Sequence, residues 1–335
     1  MKRKNKGFTL VELLAVIVIL ALIALIATPI ILNVINDAKK QAAKDSAYGY
    51  MDAVEKYIVS SELEDKSIQD GTYRVEELNK KISVKGSTPD NGTIKIESKT
   101  VKSYDIGIDG YAVSNGEVEK VSTTTQFKNG KIVYYNPVSR EKCNDYTEAN
   151  SKTGTNSGCM KWYVFNDKEG NATVNVILDH NTTAGVACNS TGNNSEMKEV
   201  KIALENDTKD WKNTARLITA NEVAKITKHP TFDASKENQD WFCLDTNKSD
   251  NTSYCSKVQG TSEYAWLFDY TYECTNSGCN TSDSSNWGYW TSSPYKSIFN
   301  SYVHRISSYG GLTQDVANKV GSGVRPVITI SKSLV

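Results

Sequence analysis

Gly7-Phe8-Thr9-Leu10-Val11-Glu12-Leu13, running into an unbroken apolar stretch from Leu13 to Thr28 and on through Pro29 to Leu32, decides how this 335-residue chain is organised. Four cations, Lys2, Arg3, Lys4 and Lys6, precede it. About 20 apolar positions follow Glu12, enough for a helix to cross a hydrocarbon core roughly 30 Å thick. The basic flank then stays cytoplasmic and the rest of the chain lies outside. A secretory signal also joins a basic start to an apolar core, but it ends in an A-x-A-like cleavage site. Here Ala21, Ala24 and Ala27 recur at every third position, and a second helical pattern continues straight out of the run. No cysteine precedes Cys143, so a lipoprotein anchor near the start is excluded.

Glu12 separates this stretch from an ordinary anchor. A carboxylate among apolar residues costs free energy in lipid and is normally found with a partner. If the chain were cut after Gly7, the free amine of Phe8, on the same or a neighbouring subunit, would supply that partner.

Gly7-Phe8-Thr9-Leu10-Val11-Glu12-Leu13-Leu14 with its apolar helix resembles the processing and assembly segment of type IV pilins and pseudopilins. The resemblance covers roughly residues 1–60, including a helix-bending proline at Pro29. It implies that a prepilin peptidase cuts after Gly7 and methylates Phe8, and that Glu12 acts in subunit addition. The implied partners are that peptidase, the membrane and other pilin subunits.

Length and cysteine usage set the rest of the plan. A chain of 335 residues can hold a helix and two modest domains, since one core commonly serves about 100–200 residues. The expected division is a cleaved leader over 1–7, a long helix over 8–61 with a membrane-spanning first half, a pilin-like β domain over 62–135, and a C-terminal extracellular domain over 136–335. Lys+Arg and Asp+Glu balance at 39 each, so loss of the four leader cations leaves the mature chain mildly acidic. That is no general basic field for nucleic acid. All seven cysteines lie after residue 142, outside the membrane by this topology, where disulfides form. Cys143–Cys159, Cys243–Cys255 and Cys274–Cys279 would each close a polar, turn-rich loop. Cys188 is left over as a buried thiol or an intermolecular partner. A zinc site is the other use of cysteine, but no C-x-x-C pair occurs.

Beyond Asn33, Ile35, Ala38, Ala42, Tyr50, Val54 and Ile58 recur at mostly helical spacing between charged residues, an amphipathic helix reaching about Ser61. From Gly71 the pattern alternates. A short helix is expected over Val75 to Lys81. Strands are expected at Thr93 to Glu97, Val101 to Ile108, Tyr111 to Val113 and Lys131 to Tyr135, separated by Asp90-Asn91-Gly92, Asp109-Gly110, Asn115-Gly116 and Asn129-Gly130. They form a small antiparallel sheet on the stripe of the long helix. A polar stretch from Asn136-Pro137 to Gly158 leads to strands at Trp162 to Phe165 and Ala172 to Asp179. Thr219-Ala-Asn-Glu222 is a capping box opening a helix to about Thr227, and Gly323 to Ile330 reads as a terminal strand. The fold class is α+β: a long helix packed on a small antiparallel sheet, then a loop-rich, disulfide-containing α+β domain.

All six tryptophans, Trp162, Trp211, Trp241, Trp266, Trp287 and Trp290, follow residue 135. They either fill the core of a loop-rich domain, each burying on the order of 200 Å², or stack on a sugar. Trp287-Gly-Tyr289-Trp290 is the densest cluster and the candidate ligand site. Arg216-Leu-Ile-Thr219, Trp290-Thr-Ser-Ser-Pro294 and Val324-Arg325-Pro326-Val327 weakly resemble C-type-lectin-like modules of bacterial adhesins and formylglycine-generating enzymes, over about residues 200–332. The enzyme branch uses a redox cysteine near the end of the domain, and no cysteine follows Cys279.

Catalytic and metal motifs are missing from the sequence. There is no G-x-S-x-G elbow, phosphate loop or H-E-x-x-H, and His180, His229 and His304 are scattered. The stretch Asp245 to Asn251 has an oxygen-rich composition but Ser256 where an EF-hand loop needs glutamate. The expectation is no enzyme, no cofactor and no metal. The chain reads as a minor pilin displaying its C-terminal domain for adhesion to a glycan or host surface; the alternative is a pseudopilin of a secretion or DNA-uptake machine, in which nucleic acid becomes a ligand.

Overall fold

The structure is a computed structural model that describes residues 9–64, 66, 68–143, 158–237, 239, 242–243, 263–267, 288–307 and 310–335. Helix α1 spans Leu10–Leu63, about 80 Å at 1.5 Å per residue. It is the one helix among the described residues long and apolar enough to cross a membrane. Its two halves meet different surroundings. Every large apolar side chain from Leu10 to Ile35 is exposed, whereas Ala43, Ala47, Tyr50, Met51, Val54 and Ile58 are buried. Tyr50, Val54 and Ile58 hold the buried positions their spacing predicts, but Ile35, Ala38 and Ala42 face outward. At about 100° per residue, Ala43 lies only about 20° out of phase with Tyr50 while Ala42 lies about 80° away. The covered stripe therefore begins at Ala43.

That stripe packs on a five-stranded antiparallel meander of β1 (Gly71–Arg74), β2 (Asn91–Glu97), β3 (Thr100–Ile108), β4 (Tyr111–Ser114) and β5 (Glu117–Lys120), with α2 (Val75–Leu78) between the first two. Ile94, Ile96, Ile106 and Ile108 meet Tyr50, Val54 and Ile58 in one core. Asp109-Gly110 and Asn115-Gly116 turn with positive φ at both residues, the geometry that matches a right-handed strand twist. Asn91-Gly92 is not a turn: it opens β2. At Gly92, φ is +138° and a Cβ would lie 2.3 Å from the carbonyl oxygen of Asp105, so this glycine allows two backbones to pass closely.

The strand expected at Lys131 to Tyr135 forms, as β6 (Ile132–Asn136), but in a different sheet. The charged β5 edge, Glu-Val-Glu-Lys, ends the first sheet, as charged edges do. β6 instead joins β7 (Glu141–Lys142), β8 (Met160–Phe165), β9 (Thr173–Leu178) and β16 (Val327–Ser331) in the order β16-β9-β8-β6-β7. Val133 and Tyr135 pack there with Trp162, Val174 and Ile328. A third sheet has the order β10-β15-β12-β13-β14-β11, built from β10 (Thr183–Val186), β11 (Phe242–Cys243), β12 (Gly288–Pro294), β13 (Tyr302–Ser307), β14 (Gly311–Val316) and β15 (Ser322–Val324). Helices α3 (Lys198–Asp207) and α4 (Ala220–Ile226) accompany these sheets, and α4 opens with the expected capping box of Thr219 and Glu222. The expected strand from Gly323 to Ile330 is split. Its two ends serve different sheets across Arg325-Pro326, where proline offers no N–H to a ladder.

Cys143 and Cys159 form a disulfide with Cα atoms 6.0 Å apart, tying the end of β7 to the start of β8. Cys243 is disulfide-bonded; the pairings Cys243–Cys255 and Cys274–Cys279 fall on residues outside those described. Cys188 is a buried free thiol, pushed up to about 12 by burial.

His304 on β13 is 1% exposed, and neither ring nitrogen has a hydrogen-bond partner. Phe232 and Tyr295 stand edge-on to it at 5.5 and 5.3 Å between ring centroids. Burial lowers its pKa to about 4 from 6.5. Because unfolding exposes a histidine that takes up a proton more readily, stability is full above pH 6.5 and falls as pH drops towards 4, by on the order of 3 kcal/mol. His304→Phe should flatten that limb. Equal losses of thermal stability between pH 7.5 and 4.5 in variant and parent would contradict the assignment.

Candidate functional site

The N-terminal segment carries the processing and assembly residues expected from the sequence. Gly7 and Phe8 lie outside the described residues. From Thr9 onward the backbone is set by a capping box: Glu12 N–H donates to Thr9 Oγ1 at 3.3 Å, and Thr9 N–H and Oγ1–H both donate to Glu12 Oε2 at 2.8 Å. In the single chain the Glu12 carboxylate is therefore held by the helix start, not by an amine. The T-x-x-E spacing that marks Thr219 to Glu222 is also present from Thr9 to Glu12. The same signal stands at both places in the sequence, but the apolar surroundings of Glu12 point to an external partner.

Helix α1 runs unbroken through Pro29. Proline has no N–H to give the carbonyl of Leu25. One residue earlier, Thr28 Oγ1–H donates to the Ala24 carbonyl at 2.6 Å, the back-bonding that threonine uses inside helices and that tends to bend them.

In the C-terminal cluster, Trp287 lies outside the described residues, and Tyr289 and Trp290 are 0% and 1% exposed. Successive strand residues point to opposite faces. Tyr289 packs beside Phe165, Ile306 and Val327, while Trp290 packs beside Cys188, Leu217 and Val303. The Tyr289 hydroxyl donates to Leu267 O at 2.6 Å, and Trp290 Nε1–H donates to Val186 O at 2.7 Å. Arg325, also fully buried, lies 5.1 Å from the Tyr289 ring centroid. Its guanidinium donates to the carbonyls of Leu178, Leu267, Trp266 and Asp179 at 2.6 to 3.3 Å. These contacts use Arg325 to join β9 to the 3-10 turn Ala265–Leu267.

Two buried charge clusters join the first sheet to the C-terminal sheets. Asp105 on β3 accepts from Arg140 Nη2 at 2.7 Å, the Ser114 hydroxyl at 2.6 Å and the Thr214 N–H at 3.0 Å. Burial raises its pKa, against the opposing effects of Arg140 and these donors. In the second cluster, Glu222 of α4 takes Arg216 Nη1 and Nη2 at 2.8 and 2.7 Å and pairs with Arg74 of β1 at 3.4 Å. Burial alone would raise the Glu222 carboxyl, but Arg216 and Arg74 outweigh it and hold the pKa at about 2. Sequence reading found Glu222 only as a cap; its charge partners come from β1 and from the segment before α4. Among the described residues no group of three or more His, Cys, Asp or Glu is placed to hold a metal ion.

Residues 2–28 match the prokaryotic N-terminal methylation motif. The match places the start of the chain among type IV pilin-like and pseudopilin-like sequences, and the motif implies processing by a prepilin peptidase and assembly with other pilins at the membrane. No curated protein gives a significant match to the chain, and no solved structure does.

Proposed function

We propose that this chain is a minor, low-copy subunit of a type IV pilus-like filament, anchored and assembled through α1, with the part from residue 136 onward displayed outside the cell for adhesion or ligand binding. The observation that carries the reading is the uncovered half of α1. Its large apolar side chains from Leu10 to Ile35 are all at least 43% exposed, and its other half is already committed to a sheet. So large an apolar surface needs lipid before assembly and neighbouring helices after it. The methylation motif across that half supports pilin helices as those neighbours, and a structural role over an enzymatic one. In this reading Gly7 and Phe8 are the processing residues, Glu12 the assembly carboxylate, and Pro29 a position where the helix accommodates its neighbours. Two C-terminal sheets make a bulky head, which favours low copy number.

The test is to shear surface filaments from native cells, then determine by intact mass and immunogold labelling whether a chain beginning at Phe8 is present and where. Tip or sparse labelling supports the minor-pilin reading. A processed chain confined to the membrane, with no filament, supports a pseudopilin instead. Glu12→Val should insert normally into the membrane but enter filaments severalfold less often, since assembly would draw the carboxylate from Thr9 to the Phe8 amine of a neighbour. Unchanged incorporation would remove that role.

A further inference from the structure

We infer that the cleft between β1 and α3 is a binding site for an acidic polysaccharide. This rests on the display reading above and gives it a ligand class and a location. The cleft encloses about 700 Å³ and draws its walls from the first sheet, from α3 and the segment after it, and from the end of β12. A volume of this size accommodates a small oligosaccharide.

Charge identifies the ligand. The walls carry eight Lys and Arg against four Asp and Glu, in a chain whose total charges balance. Several of these are neutralised in place: Arg74 pairs with Glu77 at 2.6 Å, Lys95 with Glu97 at 3.7 Å, and Arg216 with Glu222. Asp70 is occupied by the N–H groups of Ser98 and Lys99. What remains is Glu205 and five lysines, Lys102, Lys201, Lys209, Lys212 and Lys296, none of which makes an ion pair or hydrogen bond through its side-chain charge among the described residues. Five ammonium groups against the carboxylates of Glu205 and Asp70 leave a net positive potential around one concavity that a neutral sugar would not use. A chain bearing carboxylate or phosphate groups at intervals would use it.

Nucleic acid is the competing polyanion. Its sequence-tolerant capture relies on a series of free aromatic faces for base stacking. This cleft has two rings, Tyr73 and Trp211, and both are packed into hydrophobic cores: Tyr73 against the core under α1, and Trp211 against the core that holds Trp162, edge-on to it at 5.5 Å. The rest of the polar lining is rich in hydroxyl and carboxamide groups, such as Ser195, Ser292 and Asn221, which suit sugar hydroxyls.

The test uses the full mature chain in detergent micelles and fluorescence anisotropy with four probes: a hyaluronan octasaccharide for carboxylate, a glycerol-phosphate oligomer for phosphate, a neutral dextran octasaccharide, and a short single-stranded DNA. One or both acidic probes should bind, more weakly as salt rises, and the ratio between them tells carboxylate from phosphate. The K102E/K209E/K212E variant should bind them on the order of tenfold more weakly, with an unchanged thermal midpoint because these side chains are exposed. K209Q/K212Q, which adds no acidic charge, should show a smaller loss in the same direction. Absence of binding to both acidic probes, equal binding of dextran, or unchanged affinity in both variants overturns the site. Tighter binding of DNA than of either acidic probe overturns the ligand class. Filament incorporation of the same variants is read separately, so failure of the cleft and failure of the pilin reading give different results.

Discussion

Replacing Gly7 by tryptophan should leave the chain uncut, with intact mass showing residues 1–7 still attached in essentially every molecule. Glycine has no Cβ and reaches backbone conformations closed to other residues, so the carbonyl to be cleaved can be approached closely from either side. An indole at that position blocks the approach. The uncut chain keeps Lys2, Arg3, Lys4 and Lys6 and presents no amine at Phe8, so it should remain in the membrane fraction and be missing from sheared filaments. A chain of normal processed mass from the Gly7→Trp variant would defeat the prepilin reading outright.

The second large effect is expected at Glu222. This carboxylate is 6% exposed and serves two guanidinium groups, Arg216 from the segment before α4 and Arg74 from the first sheet, while capping α4 through Thr219. Glu222→Gln keeps a side chain that can complete a capping box but removes the charge, leaving Arg216, 5% exposed, without its counter-ion. Removing one partner of a buried pair costs about 3–5 kcal/mol, because the remaining charge stays desolvated. The thermal midpoint of the full chain in micelles should fall accordingly. Glu222→Ala, which also leaves the Thr219 N–H without its acceptor, should fall further by about 1 kcal/mol. The pH dependence supplies a second readout. The folded pKa of about 2 lies below the ordinary glutamate value of 4.5, so the stabilisation is complete above pH 4.5 and is lost as pH falls towards 2. Both variants should lose that limb while keeping the separate one, between pH 6.5 and 4, that His304 produces. A variant as stable as the parent at pH 7 would show that the clamp contributes no net stability.

Local signals in the chain were strong wherever one residue type answers one physical demand. Asp109-Gly110 and Asn115-Gly116 became turns because they tolerate positive φ, and Thr219 to Glu222 became a cap because its two side chains satisfy backbone donors. Signals that depend on what lies opposite were weaker. Asn91-Gly92 has the composition of a turn, yet Gly92 serves a close passage beside Asp105 in a strand. Gly323 to Ile330 reads as one strand, yet Arg325 turns into the core to hold four carbonyls and the strand divides there. Trp287 to Trp290 reads as a ligand platform; its described members, Tyr289 and Trp290, lie inside two different cores.

The sequence by itself determined the N-terminal helix, its apolar half, the carboxylate within it and the processing motif in front of it, because each is written in consecutive residues and periodicity. The tertiary structure alone decided which sheet β6 joins, where the covered stripe of α1 begins, and that Arg74, Arg216 and Glu222, up to 148 positions apart in the numbering, share one buried site. It also decided that lysines from the first sheet, α3 and the end of β12 surround one cleft. Such placements depend on contacts between segments distant in the chain, and pairwise packing and electrostatics across that distance leave no local pattern in the sequence.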